Sequence, residues 1–487
     1  MSAPQDRYAW LAEAALEGGY PTSETSTALG EELFFQRATQ VYLWALPAMN
    51  MQAMKRGLGA AFGEGYQVMS VFEERLKPRT TITTPNSDVI YGMAFVDLAE
   101  TGPLVIEAPP RIQGLLDDFW HRPLTGPHID GVQYLGDIGI PGPDKGAGGR
   151  YVIVPDGEQD DPKYDGYFVY TSRTNGVLIF LRGFFQSVDD LAPGVSAVEG
   201  VTVRPFEGDA LPMHHVNASD TPANALFDRD GAYFDRLDEF IQSERVDTVD
   251  PYMHGMLGSL GIVKGGTFAP TQRQRELFDL AARTGWRMAK NIAANYDQEP
   301  NTLFWEDRHW VAHVKTVFDD FLHSLLDEEW RARATGHTDV NAKAHMFVNH
   351  YSISTGMMGL RPGFGAKYCN AYKDSDGNHL RGEKTYRIDL PADPPAKLFW
   401  SVAIYDADTA AGIDADGQEY PSLNSLNNLV PNDDGTTTIH VGPERPQGAL
   451  NWLKTNPGTG WFSLLRWYGP KQEFFDRQYK PGDFTKI

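Results

Sequence analysis

The chain is short of the residues that build disulfide frameworks, metal clusters or nucleic-acid surfaces. Its 487 residues include one cysteine, Cys369. A disulfide or a cysteine-ligated zinc or iron–sulfur site within one chain is therefore excluded. In its context "KYCNAY" the thiol reads as a small packed residue. Lysine and arginine number 43 against 65 aspartates and glutamates, a formal charge of −22. No basic run offsets that balance, which repels nucleic acid and anionic membrane. Nothing approaches the roughly 18 to 20 apolar residues of a membrane span. The opening "MSAPQDRYAW" lacks the charged start and apolar run of a secretory leader. The expectation is a cytoplasmic protein with a small-molecule substrate and neither a nucleic-acid nor a membrane partner.

Hydrophobic residues make up 41% and charged residues 22%, ordinary values for a chain with a sizeable core. The length suggests two to four domains. Large apolar residues recur at helical spacing over residues 30–62, and Gly57 and Gly59 mark the expected end. From residue 80 the text changes to short β-type runs such as "VIYGMAFVDL", "PLVIEAPP", "RYVIVPDG" and "GVLIFLRGFF", bounded by turn residues. Residues 221–349 read as helical again. A helix start is expected at Thr221-Pro222, a cap at Thr271, and a long helix over 303–334. After residue 359 β-type runs return in "KTYRIDLP", "KLFWSVAIYD" and "TTTIHVG". The expected organisation is a helical segment (1–79), a β domain (80–220), a helical connector (221–359) and a second β domain (360–487).

Three stretches carry a family resemblance: "TPNSDVIYGMAFVDLAETGPLVIEAPP", "GPDKGAGGRYVIVPDG" and "GYFVYTSRTNGVLIFLRGFF". They resemble the N-terminal domain-of-unknown-function family 1254, and "LGIVKGGTFAPTQRQRELFDLA" continues the similarity. "AYKDSDGNHLRGEKTYRIDLPADPPAKLFWSVAIYDADT" and "GWFSLLRWYGPKQEFFDRQYKPGD" resemble the partner family 1214. The resemblance implies an α+β fold with two antiparallel β-sandwich domains of jelly-roll or Greek-key type, joined by a helical segment. It also implies a homo-oligomer. No general activity comes with it.

Several motifs invite a chemical reading and meet a plainer one. "GIPGPDKGAGGRYVIV" is glycine-rich, but Lys145 comes too early for a phosphate loop and the glycines run into a strand. "GIVKGGTF" reads as a loop entering a helix. "DSDGNHL" and the loop from Asp406 to Asp416 alternate acidic and small residues without the flanking helices of a calcium loop. Glu306, His309 and His313 would share one helical face, and His345 and His350 could add nitrogen ligands. A di-iron site would still need a second such motif and two further carboxylates. No cofactor is therefore expected, and a metal-dependent enzyme using His309 and His313 stays as an alternative. Neither a G-x-S-x-G elbow nor a Rossmann fingerprint is present.

Stronger candidates lie in the strands. Arg173, Asn175 and Arg182 interrupt an otherwise apolar β segment, so each arginine must reach solvent, pair with a carboxylate or hold an anion. Arg466, in "LLRWYGP", poses the same choice. Asn86 and Tyr91, in "TPNSDVIYG", could orient a polar ligand, with Pro85 and Asn86 also suited to a turn. "LLDDFWHRP" joins Asp118 and Trp120, which the resemblance favours as a matching pair, to His121. If extended, it places Asp118 and His121 on opposite faces, so they cooperate only across a bulge or turn. The expected function is an enzyme acting on a small polar or anionic substrate in an inter-domain pocket, a hydrolase in the first instance. Asp118 and His121 would move protons. Arg173 and Arg182 would hold the anion, Asn86 and Tyr91 would orient it, and Trp120, Asn175 and Arg466 would complete the substrate-binding set. The alternative is a non-catalytic carbohydrate- or small-ligand-binding protein.

Overall fold

The computed structural model describes residues 4–300, 302–312, 339–358, 362–426 and 429–487. The chain divides into two compact units, Met1–Leu46 with Asp228–Met288, and Pro47–Phe227 with Ala289–Ile487. The first is helical. Its helix Ser23–Trp44 begins at Thr22, whose hydroxyl accepts the Thr25 N–H. Helix Gln272–Ala294 begins after Thr271, which exchanges side-chain and backbone hydrogen bonds with Gln274. Aromatic contacts hold these helices to Ala232–Ser243: Tyr42 lies 4.0 Å from Tyr233, and Phe234 4.3 Å from Phe278. The expected helix start at Thr221 is not there. Ala223–Asn224 is a short strand paired in parallel with Thr80–Thr81, and the helix begins only at Ala232.

The second unit is built from sheets, and its order positions the site. One six-stranded sheet runs Asp137–Gly139, Gln113–Asp118, Gly176–Gly183, Ile90–Asp97, Val68–Phe72, His214–Asn217. A second runs Thr202–Pro205, Leu104–Ala108, Gly149–Pro155, Phe168–Ser172, Thr125–Ile129, Val132–Leu135. Farther along, a five-stranded sheet runs Trp310–Ala312, Ala366–Ala371, Trp461–Pro470, Ala396–Asp406, Ser422–Asn424. A four-stranded sheet of Asn451–Lys454, Thr437–Gly442, Tyr386–Leu390 and Thr485–Lys486 accompanies it. Most pairings are antiparallel, but Val68–Phe72 with His214–Asn217, Gly149–Pro155 with Phe168–Ser172, and Thr437–Gly442 with Asn451–Lys454 are parallel. The class is α+β with mixed sheets.

Residues 303–312 do not form the expected helix. They make a turn and the strand Trp310–Ala312, which pairs with Ala366–Ala371. Trp310 and Ala312 alternate into a core with Cys369 and Ala371, and that burial outweighs any helical pattern in the text. Glu306 and His309 therefore share no helical face, and His313 lies outside the described residues. Among the described residues no cluster of three or more histidine, cysteine or acidic side chains could hold a metal. The acidic loops are turns: Asp374 accepts the N–H groups of Asp376 and Asn378, and Asp406 those of Asp408 and Thr409. No described helix is long and apolar enough to cross a membrane.

Strand alternation explains where polar side chains collect. In Gly176–Gly183, Val177, Ile179 and Leu181 enter a core shared by both six-stranded sheets, with Leu116, Ile138, Ile106 and Ile153. The opposite face carries Phe180 and Arg182. Register places Tyr91 opposite Arg182, Asp117 opposite Leu178, and Asp137 opposite Leu115, so all of these share that face. The five-stranded sheet behaves alike. Trp461, Leu465 and Trp467 enter its own core, while Arg466, Tyr468, Tyr368 and Tyr405 share the other face. Both polar faces are buried.

Candidate functional site

A segment following helix Val340–Asn349 lies against these polar faces. Residues 351–357 are anchored by side chains of the first sheet. Ser352 N–H donates to His121 Nδ1 at 3.1 Å, Ile353 N–H to Asp117 Oδ2 at 3.0 Å, and Gly356 N–H to Asp137 Oδ2 at 2.8 Å. From the other sheet, Lys367 Nζ donates to the Gly356 carbonyl at 3.3 Å. One residue, Gly356, is thus gripped at its N–H by a carboxylate and at its C=O by an ammonium. This strap supplies Tyr351 and Met357 to a cavity also lined by Thr84, Asn86, Tyr91, Arg182, His350, Tyr368 and Arg466. The cavity has a volume of about 30 Å³. That is room for a formate-sized group.

Two guanidiniums dominate it. Arg182 is buried, its Nη2 meets only the Met357 sulfur at 4.0 Å, and its Nε has no hydrogen-bond partner. Arg466 donates from Nη2 to the carbonyls of Thr84 and Pro85 at 3.3 and 3.4 Å, and its Nη1 has no partner. Among the described residues neither has a carboxylate at ion-pair distance. Their surroundings are phenolic. Burial pushes the hydroxyls of Tyr91, Tyr351 and Tyr468 upward, so at neutral pH they offer dipoles and no countercharge. Ring faces help modestly: Arg182 lies 5.2 Å from the Phe180 centroid and Arg466 5.6 Å from that of Tyr405.

The neutral polar groups are fixed by their own partners. Asn370 Nδ2 donates to His350 Nε2 at 3.0 Å, leaving Nδ1 as the protonated nitrogen facing Thr84 Oγ1 at 2.8 Å. Thr84 in turn donates to the Asn349 carbonyl at 3.1 Å. Asn86 bonds the Tyr468 hydroxyl and accepts the Asp88 N–H at 2.9 Å. Asp88 does not take its own local backbone. It is held by Asn424 at 2.7 Å and Arg75 at 3.5 Å.

The strand candidates thus separate into two groups. Asn86, Tyr91, Arg182 and Arg466 line one cavity. Asp118 and His121 do not. Asp118 accepts the N–H groups of Trp120 and Arg122 at 2.8 and 3.0 Å and pairs with Arg122 Nε at 2.6 Å, closing the turn that ends its strand. His121 has a left-handed backbone, φ 57°, and stacks on Phe347 at 5.1 Å. Burial pulls its pKa to about 3, so it is a neutral acceptor for the strap. Trp120 belongs to that turn as well. Arg173 and Asn175 sit in the turn before Gly176–Gly183, about 20 Å along the strand from Arg182. Asn175 spends its carbonyl on the Leu98 N–H.

Among the buried ionisable groups that were not sequence candidates, Asp117, Asp137 and Lys367 bond the strap. Lys367 stands in the apolar strand "AKYCNA", the same signal that exposed Arg182. Burial raises Asp117 well above the carboxylate range, lifts Asp137 to about 6 and lowers Lys367 to about 7.

Residues 67–205 match the family described as protein of unknown function DUF1254, and residues 365–472 match DUF1214. Arg182 falls in the first match and Arg466 in the second. No curated protein matches the chain. Among solved structures, the VPA0106 protein from Vibrio parahaemolyticus is 14% identical, with TM-score 0.52, over 93% of this chain and 100% of that one. An uncharacterised protein from Burkholderia cenocepacia is 14% identical over 95% of this chain and 96% of its own, with TM-score 0.42. The first likeness concerns the fold alone.

Proposed function

We propose, for a chain that belongs to the DUF1254 and DUF1214 families, that the cavity between Arg182 and Arg466 binds a small organic anion, a carboxylate in the first instance. Each sheet pair is read here as a β-sandwich of jelly-roll or Greek-key type, and the anion site as the meeting place of the two. One observation carries the reading. Two buried guanidiniums, delivered by different sheets, line one cavity, and each has a nitrogen without a hydrogen-bond partner. Leaving an uncompensated buried charge costs about 3–5 kcal/mol. A bound carboxylate offsets that cost by accepting charge-assisted hydrogen bonds from both sides.

The binding reading stands ahead of the hydrolase reading because Asp118 and His121 are committed to the turn and the strap. Tyr91 and Asn86 would orient the ligand through their hydroxyl and amide groups. An anion larger than formate requires the strap bearing Tyr351 and Met357 to yield. The test is thermal unfolding in sodium formate against sodium chloride of equal ionic strength, repeated with acetate and benzoate. The wild type should gain stability, and Arg182→Met and Arg466→Met should not. An equal gain in both variants, or none in the wild type with any of the three anions, would refute the proposal.

A further inference from the structure

We infer that the anion site takes up its ligand together with one proton, and that Asp137 carries that proton. The inference rests on the anion-binding reading and adds a second participant to it. Asp137 lies two strands from Arg182 on the same sheet face, about 10 Å between strand axes, within reach of an arginine side chain. The strap joins them closely: Met357 touches Arg182, and the adjacent Gly356 donates to Asp137. Asp137 Oδ2 has that one N–H, whereas Oδ1 is buried with no hydrogen-bond partner. A carboxylate so placed has an oxygen ready to accept a proton.

The charges around Asp137 decide the sign. Arg182 and Lys367 both favour its ionised form, and Arg182 is the larger influence of the two. Asp117, on the neighbouring strand, opposes it when ionised. The Tyr170 hydroxyl donates to the Asp137 main-chain carbonyl, and the Ser354 hydroxyl lies beside the carboxylate. Exposed Lys145 shares with Asp137 the wall of a separate cavity of about 580 Å³. An anion bound at Arg182 neutralises the cation that holds Asp137 ionised and adds a like charge nearby. Both effects raise the affinity of Asp137 for a proton. With its carboxyl already lifted to about 6 by burial, Asp137 is poised for uptake near neutral pH. The balance is simple: the ligand enters as the anion, solvent supplies the proton, and the new O–H forms on Asp137. No bond of the ligand breaks.

The reciprocal consequence is pH-dependent affinity. Below about pH 6 Asp137 is already protonated and formate affinity should be flat. Above it, affinity should fall toward the tenfold per pH unit that one linked proton requires. Proton uptake on adding sodium formate is read with a pH-stat in unbuffered solution, between about pH 6.5 and 8.5, beside affinity measured over the same range. The wild type should take up close to one proton per formate bound. Asp137→Asn keeps an acceptor for Gly356 and should bind formate with little uptake and a flat pH profile. Lys367 also faces the strap, so Lys367→Met is the control, and its uptake should persist. Formate binding without uptake in the wild type would overturn the inference while leaving the anion site standing. Uptake that survives Asp137→Asn but vanishes in Lys367→Met would overturn it too, moving the proton to the lysine. No formate binding by the wild type would bring down both readings.

Discussion

Replacing Arg182 with methionine should make the ligand-free protein more stable, the reverse of what removing a satisfied buried arginine does. The guanidinium is buried, touches one sulfur atom, and lacks both an oxygen acceptor and a carboxylate among the described residues. An uncompensated buried charge costs about 3–5 kcal/mol. Its contact with the Phe180 ring returns about 0.5–2 kcal/mol. Methionine fills similar volume without the charge, so the net gain should be about 1–4 kcal/mol. Urea unfolding, followed by tryptophan fluorescence, reads this directly and avoids guanidinium, which would compete for the same acceptors. Formate sharpens the contrast. At a hundred times its dissociation constant it should stabilise the wild type by about 2.7 kcal/mol and leave Arg182→Met unmoved. The stability difference between the two proteins should therefore shift by about 2.7 kcal/mol in favour of the wild type as formate is added. If Arg182→Met instead loses about 3–5 kcal/mol without ligand, the guanidinium is a paired structural group and the reasoning fails.

Other expectations follow from the same face of the sheet. Asp137 titrates near 6 in the fold and 3.8 in ordinary surroundings, so the folded state holds the extra proton between those values. Stability should fall by roughly 3 kcal/mol as pH rises through that window, and Asp137→Asn should flatten the fall in a urea series. Lys367 has the opposite sign: lowered from 10.5 to about 7, it binds fewer protons folded than unfolded. Its contribution should rise with pH across that interval and be absent in Lys367→Met. Gly365→Ala would place a Cβ 1.6 Å from the Gly356 carbonyl at a backbone φ of 64°. It should displace the strap, lower the melting temperature and weaken formate binding together. Asp118→Asn should cost about 1–3 kcal/mol through its bond to Arg122 while formate affinity stays at the wild-type value. A loss of binding at full stability would return Asp118 to the site.

The strands were legible because alternation and turn residues are local signals. "GVLIFLRGFF" became Gly176–Gly183, and "KLFWSVAIYD" became Ala396–Asp406. Arg182 and Arg466 were legible as anomalies, since a strand otherwise apolar has no cheap place for a guanidinium. That they converge was not legible, because it depends on which face of each sheet turns outward from its own core. The same blindness misplaced Asp118. A left-handed residue at His121 turns the chain after Asp118, and of the two adjacent aspartates it is Asp117 that reaches the strap. Residues 303–312 failed for a related reason: pairing with Ala366–Ala371, far along the chain, decided a segment whose local pattern suited a helix. Asp137, in "LGDIGI", carries no local sign of burial at all.

One arginine comes from each sheet pair, and this gives the ligand a mechanical meaning. An anion gripped by both would act as a removable rivet, added to the hydrogen bonds by which the sheet pairs already meet, such as Asn424 to Asp88 and Arg466 to the Thr84 carbonyl. Calorimetry in formate should then show the two halves melting as one body, and after dialysis their transitions should draw apart. A protein assembled from two modules would thereby report, in the way it comes undone, whether its guest is at home.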